Sequence, residues 1–261
     1  MSFRQLNARL WLLALLAVLV ASPVAAQVSL VVQPAYSIWD VILGDPVTQI
    51  PAMDIVDVSC GTNGGPPSVK LAGVTDFITC TPEPSGLREV YFAYDDEQDY
   101  VALAMETEFK VFHGGTSIYA HPVVISVLVD EAAIVRGIRI VTDDRVGTNV
   151  RRTSVNLINN LEARFGKWGA KCADVPPRDG EKPVGRQFVH KVCTGVNDNA
   201  GQRLYMEAYY LRKRGQTGLN LETQQVNEGY FSSGTRFELV QLPYQPRTAE
   251  AVPGLTGQPM Q

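Results

Sequence analysis

The chain has 261 residues, 23 Lys and Arg against 27 Asp and Glu, and a net charge of −4. That length suits one large domain or two small ones, with enough chain to bury a sizeable core. The mildly acidic balance carries no bulk attraction for nucleic acid or an anionic membrane.

The N-terminus reads MSFRQLNARLWLLALLAVLVASPVAAQ, with Arg4 and Arg9 ahead of an unbroken apolar stretch at 10–21 and Val24-Ala25-Ala26 before Gln27. This is the pattern of a signal peptide, and the apolar stretch falls well short of the ~20 residues that cross a bilayer as a helix. Residues 1–26 are therefore expected to be removed after Ala26, placing the mature chain in the periplasm or outside the cell. No cysteine follows the apolar stretch to carry a lipid, and no later segment approaches spanning length. The mature chain, short of two arginines, is expected to be soluble and to carry a charge of −6.

"YSIWDVILGDP" (36–46) predicts a compact helix, with Ser37 and Asp40 spaced as a capping box and Gly44 as its stop ahead of Pro46. "SCGTNGGPPS" (59–68) follows. A phosphate-binding loop needs G-x-x-x-x-G-K-[ST] between strand and helix; here Gly65 is followed by Pro66-Pro67, which offer no N–H, and no lysine stands in place. The segment is expected to be a turn stapled by Cys60, with only its free amides able to touch a ligand. "REVYFAYDD" (88–96) alternates Val90, Phe92 and Tyr94 as a half-buried strand does.

Asp95, Asp96, Glu97 and Asp99 then crowd one turn. They lack the spaced acids, central glycine and terminal glutamate of an EF-hand loop, and are expected to cap the helix predicted at 99–112. A hairpin is expected over 121–144, turning at Asp130-Glu131-Ala132, and the clearest helix over 151–166, with Val155, Ile158, Leu161 and Phe165 in phase. "RLYMEAYYL" (203–211) reads as a strand, and 219–226 with 235–242 as a last hairpin around 227–234. The proline-rich 243–261 is expected to be a disordered tail.

Cys60, Cys80, Cys172 and Cys193 are the only cysteines, an even count that points to disulfides in an exported chain. Of three connectivities, the spacings of 20 and 21 residues favour Cys60–Cys80 and Cys172–Cys193. That pairing leaves no thiolate nucleophile, and no C-x-x-C is present for redox or zinc chemistry. His113, His121 and His190 lack metal-ligand spacing, and no G-x-S-x-G elbow occurs. No catalytic residue, cofactor or metal is therefore assigned.

Each half of the chain shows a glycine-terminated helix, a cysteine loop, a strand opening on Arg88 or Arg203, and further strands, with corresponding cysteines 112 and 113 residues apart. This implies a duplication, dividing the chain into α+β subdomains at 27–145 and 146–242. In element order and glycine-terminated helices over 36–242, the chain resembles the tandem helix-plus-antiparallel-sheet units of the β-lactamase-inhibitor-like and outer-membrane-assembly lipoprotein families. The resemblance implies an α+β fold, antiparallel sheets with a few helices packed on one face, and protein–protein work in the cell envelope. An extra helix at 99–112 and the missing lipid-attachment cysteine depart from it, and no functional residue is carried across.

Charge is unevenly placed. Residues 76–108 hold nine acids against Arg88, while 136–171 hold eight bases against three acids. Such blocks fit surfaces that dock within the molecule or onto a partner. The expected function is a soluble periplasmic or secreted binding or accessory protein without catalysis, meeting an envelope protein partner through Arg151, Arg152, Asp95, Asp96 and Glu97. The alternative is an envelope hydrolase with a dispersed metal- or acid/base-dependent site built on such acids and His113 or His121.

Overall fold

Apolar residues at every second position make this chain a sheet. In the segment His121–Val129, Val123, Ile125, Val127 and Val129 join the main core, whereas Val124, Ser126 and Leu128 point to the opposite face. The computed structural model describes residues 37–51, 55, 57–93, 116–165, 169–216 and 231–241. The signal segment, the acids at 95–99, the helix expected at 99–112, His113, the strand expected at 219–226 and the tail lie outside those residues.

Among the described residues nine strands follow in chain order: β1 (Asp57–Cys60), β2 (Arg88–Ala93), β3 (Thr116–Ile118), β4 (His121–Val129), β5 (Val135–Thr142), β6 (Lys171–Asp174), β7 (Val189–Asn197), β8 (Gln202–Leu211) and β9 (Ser232–Gln241). They form one antiparallel sheet in the order β1-β2-β4-β5-β9-β8-β7-β6, with β3 paired to β4. The expected hairpin is β4–β5, its turn held by the Asp130 carboxylate accepting from the Ala132 and Ile134 amides at 2.9 and 3.0 Å. The last expected turn does not extend to Gly234: β9 starts at Ser232, so Gly234 lies inside the strand, where an added Cβ would stand 2.9 Å from the Tyr209 hydroxyl.

Two expected helices are shorter than their sequence signals. The capping box forms as expected, Ser37 accepting from Trp39 and Asp40 from the Ser37 amide, but only the 3-10 turn Ile38–Asp40 follows. Sheet bonding captures the backbone beyond it: the Gly44 amide donates to Val135 at 2.8 Å and the Val135 amide to Asp45 at 2.9 Å. The helix expected at 151–166 divides into α1 (Thr148–Arg151), a 3-10 turn at Ser154–Asn156 and α2 (Leu157–Phe165). Thr153 makes no side-chain cap, and the Ser154 carbonyl accepts from Thr235 Oγ1 on β9 at 2.8 Å. Leu157, Ile158, Leu161 and Phe165 are buried as their spacing required. Trp39, Phe165 and Phe237 meet at ring separations of 5.0–6.1 Å, tying the first turn, α2 and β9 into one core.

The halves expected at 27–145 and 146–242 share this sheet. Strands β1-β2-β4-β5 form one meander, β6-β7-β8-β9 another, and β5 pairs with β9 to join them. Cys60 lies on β1 and Cys172 on β6, the outermost strand of each meander, and both disulfides have the expected partners, Cys80 and Cys193. Arg88 and Arg203 do not correspond: one opens the second strand of its meander, the other lies in the third.

Candidate functional site

The face of the sheet turned away from the main core carries one unbroken polar row. Ser59, Tyr91, Ser126, Arg139, Glu238, Tyr205, Thr194 and Lys171 stand directly opposite one another across eight successive strands. The row on the core face one residue away is apolar: Ile125, Ile140, Phe237 and Met206, ending on Cys193 and Cys172. Period-two geometry thus separates the two chemistries. The polar row is buried from Ser59 to Tyr205, half-buried at Thr194 and exposed at Lys171.

At its centre Arg139 is fully buried and surrounded by carboxylates. Its Nε donates to Glu238 at 2.7 Å, its two terminal nitrogens to Glu83 at 2.5 and 3.2 Å, and Nη1 lies 2.8 Å from Glu89. Burial by itself would lower the Arg139 pKa, but the hydrogen bond to Glu83 and the charges of Glu238, Glu89 and Glu83 outweigh it and keep the guanidinium charged. Glu83 is pushed above its ordinary value by burial, with the neighbouring charges of Glu89 and Glu238 adding to the rise against the pull of Arg139. A second arginine, Arg236, also grips Glu238 and reaches the Asn63 carbonyl at 3.0 Å. Arg139 of the basic block thus meets Glu83 and Glu89 of the acidic one inside the molecule.

The loop at 61–65 closes over this cage. Asn63 and Gly64 take φ of 59° and 78°, aiming successive amides at one point, and both donate to the Glu89 carboxylate, Gly64 at 3.0 Å. Such a pair of left-handed residues makes an anion-holding concavity. The amides expected to be free are thus occupied, and the anion they hold is the protein's own.

Toward the exposed end of the row, Glu207 on β8 joins two other titratable groups. Tyr205 donates its hydroxyl to Glu207 at 2.9 Å, and His190 Nε2 lies 2.8 Å from the other carboxylate oxygen. Burial and the Glu207 charge raise the Tyr205 pKa; burial, Glu207 and Asp144 raise that of Tyr209. His190 Nδ1 faces Glu181 at 3.9 Å. Tyr205, Glu207 and His190 thus form one hydrogen-bonded chain.

The remaining expected residues are dispersed. Arg151 is half-buried at the end of α1, and the exposed Arg152 lies with its guanidinium 6.0 Å from the Phe231 ring centre. His121 is half-buried at the start of β4, its pKa lowered by burial. Cys172 and Cys193 come near Glu162 in ligand-like proximity, but their sulfurs are bonded to each other. A half-open cavity of about 190 Å³ at the outer edge of β1 is lined by Ile55, Asp57, Val58, Lys70, Leu71 and Val74 among others, away from the polar row. Arg139, Glu238, Tyr205 and Glu207 escaped the sequence reading; their one signal is a charge or hydroxyl at alternate positions inside an otherwise apolar strand. No family model, curated protein or solved structure matches the chain.

Proposed function

We propose that the chain is a soluble periplasmic or secreted accessory protein that binds another protein of the cell envelope and catalyses nothing. One observation carries this reading: the Cys172–Cys193 disulfide closes a loop that is displayed outward from the sheet. All four residues of β6 are exposed, and so are 176–179, 182–183 and 185–187. A loop closed at its base loses less conformational freedom on binding. The duplication, and with it the likeness to tandem helix-plus-sheet families, is part of the proposal; the two meanders joined at β5 and β9 support it. The two disulfides fit an oxidising compartment, and among the described residues no helix is long and apolar enough to cross a membrane.

The test is capture from a native envelope fraction at low salt. A specific protein partner should be recovered, and the yield should fall sharply above physiological ionic strength and after Arg151→Glu with Arg152→Glu. Recovery of nothing specific, together with turnover of an envelope substrate by the purified chain, would replace this reading with the enzymatic one. The observation favouring that second reading is the Tyr205–Glu207–His190 chain. It requires Glu207→Gln to abolish turnover while leaving the fold intact.

A further inference from the structure

The outward loop and the end of β8 together carry a concentration of positive charge. Residues 178–186 and 212–214 contain Arg178, Lys182, Arg186, Arg212, Lys213 and Arg214 against Asp179 and Glu181, in a chain whose total is −4. Three tight turns set these residues side by side. The Glu181 amide returns to the Arg178 carbonyl at 2.9 Å, the Gln187 amide to Val184 at 3.1 Å, and the Gln216 amide to Lys213 at 3.1 Å.

The turns are fastened to one another. Lys182 and Arg212 exchange backbone hydrogen bonds of 2.9 and 2.8 Å, and a Cβ on Gly180 would stand 3.2 Å from that of Arg214. Arg178, Lys182, Arg186, Lys213 and Arg214 are all exposed. Of the two acids, Glu181 is turned inward: its carboxylate accepts from the Arg178 amide at 3.0 Å and faces His190. The five exposed cations form no ion pair among the described residues, in contrast to Arg139, Arg145, Lys191 and Arg236, which all do.

We infer that this surface docks an acidic segment of a polypeptide, a step that rests on the binding reading above and gives the partner its chemistry. Range decides between kinds of anion. At physiological salt, charges further apart than about 8 Å are largely screened from each other, so a short acidic segment laid on the turns meets the positive patch alone. A membrane surface or a nucleic acid strand extends past the patch and meets the acidic remainder of the molecule as well. The disulfide at the base of the loop and the Lys182–Arg212 bridge hold the cations in place before contact, which reduces the ordering cost of association.

The experiment uses the purified full chain with both disulfides intact. A fluorescent decapeptide of alternating Glu and Gly is titrated by anisotropy at low salt, beside an oligonucleotide of equal charge and vesicles containing phosphatidylglycerol. Two single variants change net charge equally: Arg186→Glu in the patch and Lys70→Glu on the exposed side of the first half, where the side chain is 81% exposed. The peptide should bind, Arg186→Glu should weaken it about tenfold, and Lys70→Glu should leave it within about twofold, as a local rather than a bulk effect requires. Circular dichroism and non-reducing electrophoresis check that both variants keep the fold and disulfides. Absence of peptide binding, equal effects of the two variants, or preference for vesicles or oligonucleotide would each overturn the assignment. If the peptide fails while envelope capture still recovers a partner sensitive to Arg151 and Arg152, this surface is wrong and the binding function survives.

Discussion

Arg139 is the residue on which the polar face depends. Three carboxylates point at a guanidinium with no exposed surface, and a buried ion pair that loses one partner leaves the others charged in a poor solvent. Arg139→Met should therefore cost about 3–5 kcal/mol, read as a fall in the urea midpoint; an unchanged midpoint would show the cage to be dispensable. Glu83 gives the same cage a pH dependence. Burial, with Glu89 and Glu238, holds its pKa above the ordinary value despite Arg139, so the folded chain binds that proton more tightly than the unfolded chain. Its favourable contribution is full below the ordinary carboxylate range and is lost as pH rises through the raised value. Glu83→Gln, which cannot titrate, should gain stability relative to wild type as pH rises from about 4 to about 7, measured as the difference between the two unfolding curves. A constant or shrinking difference would contradict the assigned direction.

At the level of elements, the loop at 61–65 shows what local sequence cannot convey. A Cβ on Gly64 would lie 2.3 Å from Val141 Cγ2, and its φ is +78°. Gly185 has a similar φ of +61° but nothing within 4 Å. Gly64→Ala should thus lower stability by about 1–3 kcal/mol and Gly185→Ala by visibly less, both by thermal unfolding; equal losses would mean that the loop is not seated on the sheet. Replacing Cys60 and Cys80 by alanine should cost about 3 kcal/mol for a loop of this size. The strands β2, β4, β5, β8 and β9 were legible because one side of each is apolar, and the disulfide pairing was legible from its spacing. Strand β6 was not, since all four of its residues are exposed and no alternation marks it. Nor was the cage. Alternation assigns Arg139 and Glu238 to the side away from the core, and the return of residues 61–65 and of Glu83 over that side turns a solvent face into an interior. The helix signals at 36–46 and 151–166 were overruled by bonds to Val135 and Thr235 that no local window contains.

The whole molecule is held together where its two meanders meet. Five registered pairs join β5 to β9, from Gly137 with Val240 to Val141 with Arg236, and Phe237 crosses this seam to reach Trp39 and Phe165. Phe237→Ala should cost about 3–5 kcal/mol and should destabilise both meanders together, so that hydrogen-exchange protection falls in β4 as well as β8; protection lost in β8 alone would indicate two independent halves. The seam also sets an order of events in time. Arg139 and Glu238 lie 99 residues apart, so their pairing is a distant and entropically slow closure. A chain emerging N-terminus first presents β5 as an open edge, with its arginine short of one carboxylate, until residues 232–241 arrive. Throughout that interval the nascent first half offers a bare strand to any other unfinished copy nearby, and β9 is the strand that withdraws the offer.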